Sequence, residues 1–375
     1  MFLARKELWF SKRRFLLIGF IIVLISWLVF ILSGLGNGLS DLGTAVIRYS
    51  DMNYAIFEDE AEFSLGKSTL PGSIVDEVIQ LDGVEEAGGI STAFGSILQG
   101  TNHDDESSRK TSAIFIGVEP GSFLEPAVQS GKALEINQPN HVLVDSSLQN
   151  QGFSLGDTIT LSGVGTKFEI GGFINNQTLN HLPAIYVVPD TLRAFKYLVP
   201  GSDMGIEEPV NAVFFTSKNL DIEQIAENIG GVEVANKKET LNGVPGYKAE
   251  SGTINLMLWL LIFISAFVIA VFFYVLTTQK VQQFGVMKAI GASNGFVIRS
   301  VVAQVFLLAS ISILVGIGLT YATTLVLPEG MPFNLLPEMV WIYSLVLLLT
   351  SLLGSLFSVR SIMKIDPVTA LGRSE

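Results

Sequence analysis

The chain has 375 residues, of which 49% are hydrophobic and only 15% are charged, and its mean hydropathy is +0.49. Soluble proteins usually carry about 25% charged residues, so part of this chain is expected to lie in lipid. The absence of cysteine excludes a disulfide scaffold, a cysteine nucleophile and a thiolate metal site. The net charge of −12 argues against general nucleic-acid binding.

Four stretches contain no Asp, Glu, Lys or Arg over 21 to 29 residues. Each is longer than the roughly 20 apolar residues that a helix needs to cross a bilayer. The first lacks an Ala-x-Ala cleavage site and is too long for a secretory signal, so we interpret it as a retained span. We predict transmembrane helices at 15–40, 254–279, 300–327 and 339–359. The fold class is therefore a membrane protein with four transmembrane helices and a large α+β extracytoplasmic domain, residues 41–253, between helices 1 and 2.

Basic residues flank only some ends of these spans. Lys and Arg are concentrated in residues 1–14, which we expect to form a cytoplasmic or interfacial helix, in the 280–299 loop and in the 360–375 tail. The outer loop at 328–338 carries two glutamates and no basic residue. The positive-inside rule then predicts a multi-pass cell-membrane protein with both termini cytoplasmic and residues 41–253 extracellular.

The net charge also differs between the large domain and the rest of the chain. Residues 41–253 hold 12 basic and 30 acidic side chains, 12 − 30 = −18, and the rest of the chain holds 11 and 5, 11 − 5 = +6. We interpret the acidic balance of the large domain as solvation rather than as a binding surface.

Short β-branched and aromatic runs, bounded by turn residues, predict strands in the large domain. They lie at residues 53–57, 113–117, 141–145, 158–161, 168–170, 184–188 and 211–215. Two amphipathic helices are predicted near 72–81 and 221–229, and each is followed by a similar Gly-Val-Glu segment. This repeat predicts two β-α-β halves near 50–110 and 205–245, interrupted by a strand-rich insertion near 111–200.

No catalytic motif is found in this domain. A Gly-Lys-Ser-Thr run at 66–69 resembles the end of a phosphate-binding loop, but Ala61 occupies the position of its first glycine. His103, His141 and His181 are too far apart in sequence to form a recognisable metal motif. The sequence therefore predicts no enzyme, no metal site and no intrinsic cofactor.

The 280–299 segment contains an apolar residue at every third position, at Val281, Phe284, Met287 and Ile290. This predicts a short helix that ends at Gly291, with Ser293 or Asn294 starting the next helix. The pattern is typical of an interfacial helix and equally of a helix that docks into a cytoplasmic partner.

Three segments resemble one family of permeases. They are Gly-Val-Met-Lys-Ala-Ile-Gly-Ala at 285–292, Asp-Pro-Val-Thr-Ala-Leu at 366–371 and Leu-Gly-Asp-Thr-Ile-Thr-Leu at 155–161. Together with the four spans, they resemble ABC transporter permeases of the macrolide-exporter (MacB) and FtsX type. The resemblance implies a homodimer in membrane lipid that is coupled to two copies of a separate ATPase subunit, through which ATP acts. It places ATPase docking on Phe284, Met287, Lys288 and Ile290.

Other segments are similar to the heme-efflux (HrtB-like) permeases of Gram-positive bacteria. They are Ala-x-Lys-Glu at 4–7, Phe-Ile-Leu-Ser-Gly-Leu at 30–35, Tyr-x-Ala-Glu at 247–250, Phe-Phe-Tyr-Val at 272–275 and Lys-Ile-Asp-Pro at 364–367. This similarity implies heme as the exported substrate. Relatives tend to place a methionine late in span one, whereas this span contains neither Met nor His.

A heme site needs partners for two carboxylates, an iron and a flat apolar ring. Glu250 and Tyr247 lie at the predicted outer end of span two, and Met257 follows Glu250 by seven residues, which returns to nearly the same helix face. Trp27 and Phe30 of span one could contact the ring. The alternatives are export of a peptide, lipid or lipophilic antibiotic, and FtsX-like transmission of ATP-driven motion to an extracellular partner.

Overall fold

A computed structural model of the protein describes residues 12–99, 110–218, 225–226, 229–328 and 330–362. The chain forms two compact units: a membrane unit, Met1–Gly38 with Gly252–Glu375, and an α+β unit, Leu39–Ser251. Most of the predicted N-terminal helix, most of the 360–375 tail and His103 lie outside the described residues.

The α+β unit contains both helices and strands, whereas the described elements of the membrane unit are all helices. In chain order they are α1 (Lys12–Arg48), β1 (Tyr54–Glu58), α2 (Ile74–Ile79), β2 (Val84–Gln99), β3 (Lys110–Gly117), β4 (Val128–Gly131), β5 (His141–Asp145), a 3₁₀ helix (Ser146–Gln151), β6 (Thr158–Leu161), β7 (Lys167–Ile174), β8 (Thr178–Leu179), β9 (Leu182–Val187), α3 (Pro189–Lys196), β10 (Ala212–Ser217), β11 (Val232–Asn236), α4 (Lys237–Asn242), α5 (Tyr247–Gln279), α6 (Val281–Ala289), α7 (Asn294–Thr324) and α8 (Pro337–Ile362).

Four helices are long and apolar enough to cross a membrane: α1, α5, α7 and α8. Their bounds differ from the predicted spans, because α1 runs on to Arg48 and α5 begins at Tyr247. A charged residue ends an uncharged stretch of sequence but need not end a helix, so α1 and α5 extend beyond the apolar segments. The core of the membrane unit joins all four helices through side chains such as Ile22, Phe30, Phe273, Val305 and Leu347.

Glycines on α1 allow the segment between α7 and α8 to pack closely against it. A Cβ atom at Gly38 would overlap the backbone of Pro332 and lie 2.5 Å from the nitrogen of Phe333. A Cβ atom at Gly34 would overlap the ring of Phe333. The amide of Asn334 donates to the carbonyl oxygen of Gly34 at 2.9 Å, so the segment 332–334 is seated on backbone rather than on side chains.

The sheet of the α+β unit has the strand order β11-β1-β10-β2-β3-β9-β5-β7-β4, with β6 pairing β2 and β7, and β8 pairing β9. In its first part, β10 lies antiparallel between β1 and β2, and β1 lies antiparallel between β10 and β11. The strands of the two predicted β-α-β segments therefore interleave in one sheet. Most of the predicted 221–229 helix lies outside the described residues.

The second part of the sheet contains parallel as well as antiparallel neighbours. β3 is parallel to β9, and β5 is parallel to β7. Helix α3, which the sequence analysis did not predict, starts with Pro189 at its first turn and buries Leu192 and Phe195. The ring of Phe195 packs edge-on against Phe115, with the centroids 5.1 Å apart.

Strand β2 connects these two parts. Its residues 84–90 pair with β10, and its residues 91–98 pair with β3. At Gly95 a Cβ atom would lie 2.7 Å from Leu161 and 3.0 Å from Phe115, so a glycine is needed for this close packing.

Candidate functional site

A tight hairpin turn between β8 and β9 contacts the part of α1 that belongs to the α+β unit. Asn180 and His181 form its two-residue loop with φ of 51° and 62°, the left-handed values of a type I′ turn. Their amides donate to the carbonyl oxygens of Gly43 at 2.9 Å and Leu42 at 3.0 Å. The hydroxyl of Thr178 donates to the carbonyl oxygen of Asp41 at 3.0 Å. We call Thr178–His181 with residues 41–43 the hairpin clamp.

Glu250, in the first turn of α5, extends this clamp. Its Oε2 lies 3.5 Å from Nε2 of His181, and its side chain is 22% exposed. Its Oε1 is buried and makes no hydrogen bond within the described part of the chain. Burying a carboxylate oxygen without a hydrogen bond costs free energy. A hydrogen-bond donor or a cation that reached this oxygen would therefore bind favourably. The sequence analysis selected Glu250 but missed His181 as its neighbour, because 69 residues separate them (250 − 181).

Tyr247 and Met257 differ in their surroundings. Tyr247 is half-buried and packs against the core of the α+β unit. Met257, in the membrane unit, is 51% exposed. Helix α5 is continuous from Tyr247 to Gln279. Glu250 and Met257, seven residues apart on this helix, therefore lie on nearly the same face.

Trp27 and Phe30 lie within the helix packing of the membrane unit. The indole Nε1 of Trp27 donates to Oγ1 of Thr323 at 3.0 Å. Phe30 exposes none of its surface, so, contrary to the expectation, it offers no free face to a substrate in this conformation. Its ring fills the core because it points between the helices, which a count of apolar residues along one span could not show.

The 280–299 segment forms helix α6 over Val281–Ala289, and its apolar residues point in different directions. Phe284 is 6% exposed and belongs to the core of the membrane unit, whereas Ile290 is 80% exposed. Met287 and Lys288 are half-buried, and Val286 is exposed. Residues spaced three apart in an α-helix are rotated by about 300°, about 60° short of a full turn. Apolar residues at this spacing therefore do not share one face of the helix. Of the four residues predicted to dock an ATPase, Phe284 is buried, Met287 and Lys288 are half-buried, and Ile290 is exposed.

Both ends of α6 are well defined. Gly291 has φ of +97°, and the amide of Ala292 donates to the carbonyl oxygen of Met287 at 2.9 Å, which ends the helix. The hydroxyl of Ser293 accepts from the amide of Phe296 and caps α7. Before α6, the ammonium of Lys280 lies 3.2 Å from Oε1 of Gln304, and 4.9 Å from the ring centre of Phe15. These contacts fix α6 to the transmembrane helices.

The residues that resembled a phosphate loop have structural roles. Lys67 forms an ion pair with Glu62, and the buried hydroxyl of Ser68 accepts from the amide of Glu58 at 2.9 Å. His141 lies 3.4 Å from Glu169. Within the ranges that the structure describes, no group of three or more His, Asp or Glu side chains could hold a metal ion.

Comparison with known proteins agrees with the resemblance drawn from the sequence. The FtsX-like permease C-terminal family matches residues 255–367. A protein named as the hemin transport system permease HrtB of Staphylococcus haemolyticus is 28% identical over 100% of both chains. Its namesake from a Staphylococcus epidermidis strain is 26% identical over 99% of both chains. An uncharacterised ABC transporter permease of Mycobacterium tuberculosis is 23% identical over 99% of both.

Two solved structures are similar to part of the chain. The periplasmic region of MacB from Actinobacillus actinomycetemcomitans matches with 15% identity and a TM-score of 0.37, covering 52% of this chain and 95% of that one. The extracellular domain of the transporter YknZ from Gram-positive bacteria matches with 15% identity and a TM-score of 0.34, covering 49% and 100%. The family match is confined to the C-terminal helices, and the full-length relatives are permeases of ABC transporters or of hemin transport by name, so the chain is similar to such permeases over its whole length.

Proposed function

We propose that the chain is the permease subunit of an ATP-driven exporter and that its cargo is heme. The observation that carries this proposal is the similarity, at 28% identity over both full lengths, to a permease named for hemin transport. A similarity that includes the α+β unit as well as the helices supports a shared cargo better than a match to one domain would. Heme enters here as the substrate and not as a resident cofactor.

Glu250 is the residue that we propose to engage the cargo first. Its unsatisfied Oε1 is held in a half-buried position beside His181. Heme offers an iron that accepts His, Met, Tyr or anionic ligands, so a carboxylate with a neighbouring imidazole suits it chemically. Tyr247 and the exposed Met257 on the same helix complete the proposed path.

The energy source in this proposal is a separate ATPase subunit. Ile290, Val286 and Lys288 would form the contact surface of α6, with Phe284 and Met287 anchoring α6 to the helix core. Motion of α6 would then reach the spans through the Lys280–Gln304 contact. The basic flanks of the spans support a cytoplasmic position for this segment and for both termini.

We propose that two copies of the chain assemble with two ATPase subunits. A row of large apolar side chains on α5 is exposed in the single chain, including Leu256, Leu260, Phe263 and Phe267. They recur at spacings of three and four residues and so follow one face of the helix. We assign this face to contact with the second copy, and the exposed faces of α7 and α8 to lipid.

The test is growth on heme of cells that lack the gene, complemented by variants. We expect the deletion to sensitise cells to heme, the wild-type gene to restore growth and Glu250→Gln to fail at equal protein level. Glu169→Gln is the matched control, because Glu169 also lies beside a histidine but has an exposed side chain. Equal growth with and without the gene would refute heme as the cargo and favour a peptide, lipid or antibiotic. Growth restored by Glu250→Gln would remove that residue from the site.

A further inference from the structure

A cavity lies in the α+β unit, and none of the residues that line it belongs to the hairpin clamp. It has a volume of about 480 Å³ and opens between strand β2, the turn from β6 to β7 and the end of α3. Its lining includes Thr92, Phe94, Val164, Lys196, Tyr197 and Asn211. We call it the Lys196 pocket. The volume falls within the range of small-molecule sites, about 300–1,000 Å³.

A buried asparagine organises the polar side of this pocket. Asn211 is buried, and its Oδ1 accepts from the amide of Thr92 at 2.8 Å and from Nζ of Lys196 at 2.9 Å. Its Nδ2 donates to the carbonyl oxygen of Ser68 at 2.7 Å. The amide group is therefore fixed by three elements of the fold, and it holds the lysine in a defined position.

Lys196 carries a charge that the protein does not neutralise. No carboxylate forms an ion pair with it in the described ranges, and its hydrogen-bond acceptor, Asn211, is neutral. Burial lowers the pKa of Lys196 to about 8, so the amine is still mostly protonated at neutral pH. A half-buried ammonium without a counterion is stabilised by any anion that enters the cavity.

The mouth of the pocket is apolar. Phe94 is 62% exposed although it lies on a central strand of the sheet, and Val164 is exposed beside it. The ring of Tyr197 lies 5.2 Å from Nζ of Lys196. A cation at the base and aromatic surface at the mouth favour a ligand that is charged at one end only.

We propose that the Lys196 pocket binds an anionic oxygen group, a carboxylate or a phosphate, carried on an apolar body. The anionic group would replace solvent at Lys196, and the apolar body would cover Phe94 and Val164. This site is separate from Glu250, so its occupancy does not depend on the identity of the exported cargo.

The test uses the full-length permease in lipid nanodiscs and fluorine NMR of three probes. These are fluorophenylpropionate, fluorophenyl phosphate and the neutral fluorophenylpropanamide. We expect at least one anion to bind more tightly than the amide, and the preferred anion distinguishes a carboxylate source from a phosphate source. Lys196→Met should weaken that anion about tenfold, as loss of a hydrogen bond between charged groups implies.

Three controls make the result decisive. Lys196→Met leaves the bond from Thr92 to Asn211 in place, so the pocket keeps its frame. Phe94→Ala, at an exposed position, should weaken all three probes without changing the preference for the anion. Lys218→Met removes an exposed lysine that pairs with Glu85 and should have no effect. Equal binding of acid and amide, unchanged affinity in Lys196→Met, or no binding of either anion would each overturn the proposal.

Discussion

Gly38→Ala should detach the segment 332–334 from helix α1. The added Cβ atom would overlap the backbone of Pro332 and approach the nitrogen of Phe333 to 2.5 Å, and neither group can rotate away as a side chain could. The segment must lift or α1 must shift. Lifting also breaks the bond from the amide of Asn334 to the carbonyl oxygen of Gly34, one turn away on α1.

The magnitude follows from three opposing effects. Overpacking costs about 1–3 kcal/mol, and loss of one hydrogen bond costs about 1 kcal/mol. Replacing glycine by alanine within a helix stabilises the helix by about 1 kcal/mol. The free energy of unfolding should therefore fall by about 1–3 kcal/mol. Gly318→Ala in α7 is the matched control, because its Cβ atom would meet nothing within 4 Å, so only the favourable helix effect applies.

Equilibrium unfolding in mixed detergent micelles, followed by circular dichroism, measures the stability difference. A second readout uses the absence of cysteine from the chain. Leu335→Cys introduces one thiol at a partly buried position beside the seated segment. Its maleimide labelling should accelerate in the Gly38→Ala background and stay unchanged in the Gly318→Ala background. If both glycine variants unfold at the same detergent composition and label at the same rate, the close packing on α1 is refuted.

Three further outcomes are expected. Ile290→Glu, directly after α6, should abolish ATPase stimulation in the reconstituted transporter, whereas Gln283→Glu within α6 should keep it; activity of the first variant would exclude this end of α6 as the docking surface. Because burial lowers the pKa of Lys196 to about 8, about half of this amine is neutral at pH 8. Its acetylation, followed by mass spectrometry, should exceed that of Lys218, whose pKa is raised by Glu85; equal rates would contradict the burial of its charge. Asn236→Ala removes the bond that the amide of Glu239 donates to the side chain of Asn236 at the start of α4, and should cost about 1 kcal/mol, seen as faster amide exchange confined to that helix; unchanged exchange would show that this bond is dispensable.

The membrane architecture could be predicted because it depends on composition alone. A span needs only sufficient apolar length, and this criterion predicted all four membrane helices. The ends could not be placed in the same way, since α1 continues as a helix through the charged residues Asp41 and Arg48. Strands β5 and β6 were located to the residue because turn residues bound them closely. Helix α3 was missed because its eight residues give only two buried positions besides Pro189.

The candidate sites show where sequence reasoning ends. Glu250 could be singled out as an acid beside a span, but its contact with His181 depends on a hairpin that the strand pattern did not predict. Likewise, Lys196 and Asn211 are unremarkable in sequence, and only the fold gives the lysine a neutral acceptor in place of a counterion. In α6 the apolar spacing was correct, but the direction of Phe284 depends on packing against other helices.

The 16-residue strand β2 has a consequence for how the α+β unit can deform. Its two halves pair with different parts of the sheet but share one continuous backbone, roughly 50 Å long at about 3.3 Å per residue. The pairing with β10 ends at Ile90 and the pairing with β3 begins at Ser91, so the backbone between these two residues joins the two ladders. The two parts could therefore bend relative to each other at this junction without losing a ladder hydrogen bond, whereas sliding β10 along the strand direction would carry β3 with it. Because side chains alternate between faces, deleting one residue at this junction would turn the rest of β2 to the opposite face, and its core contacts would be lost.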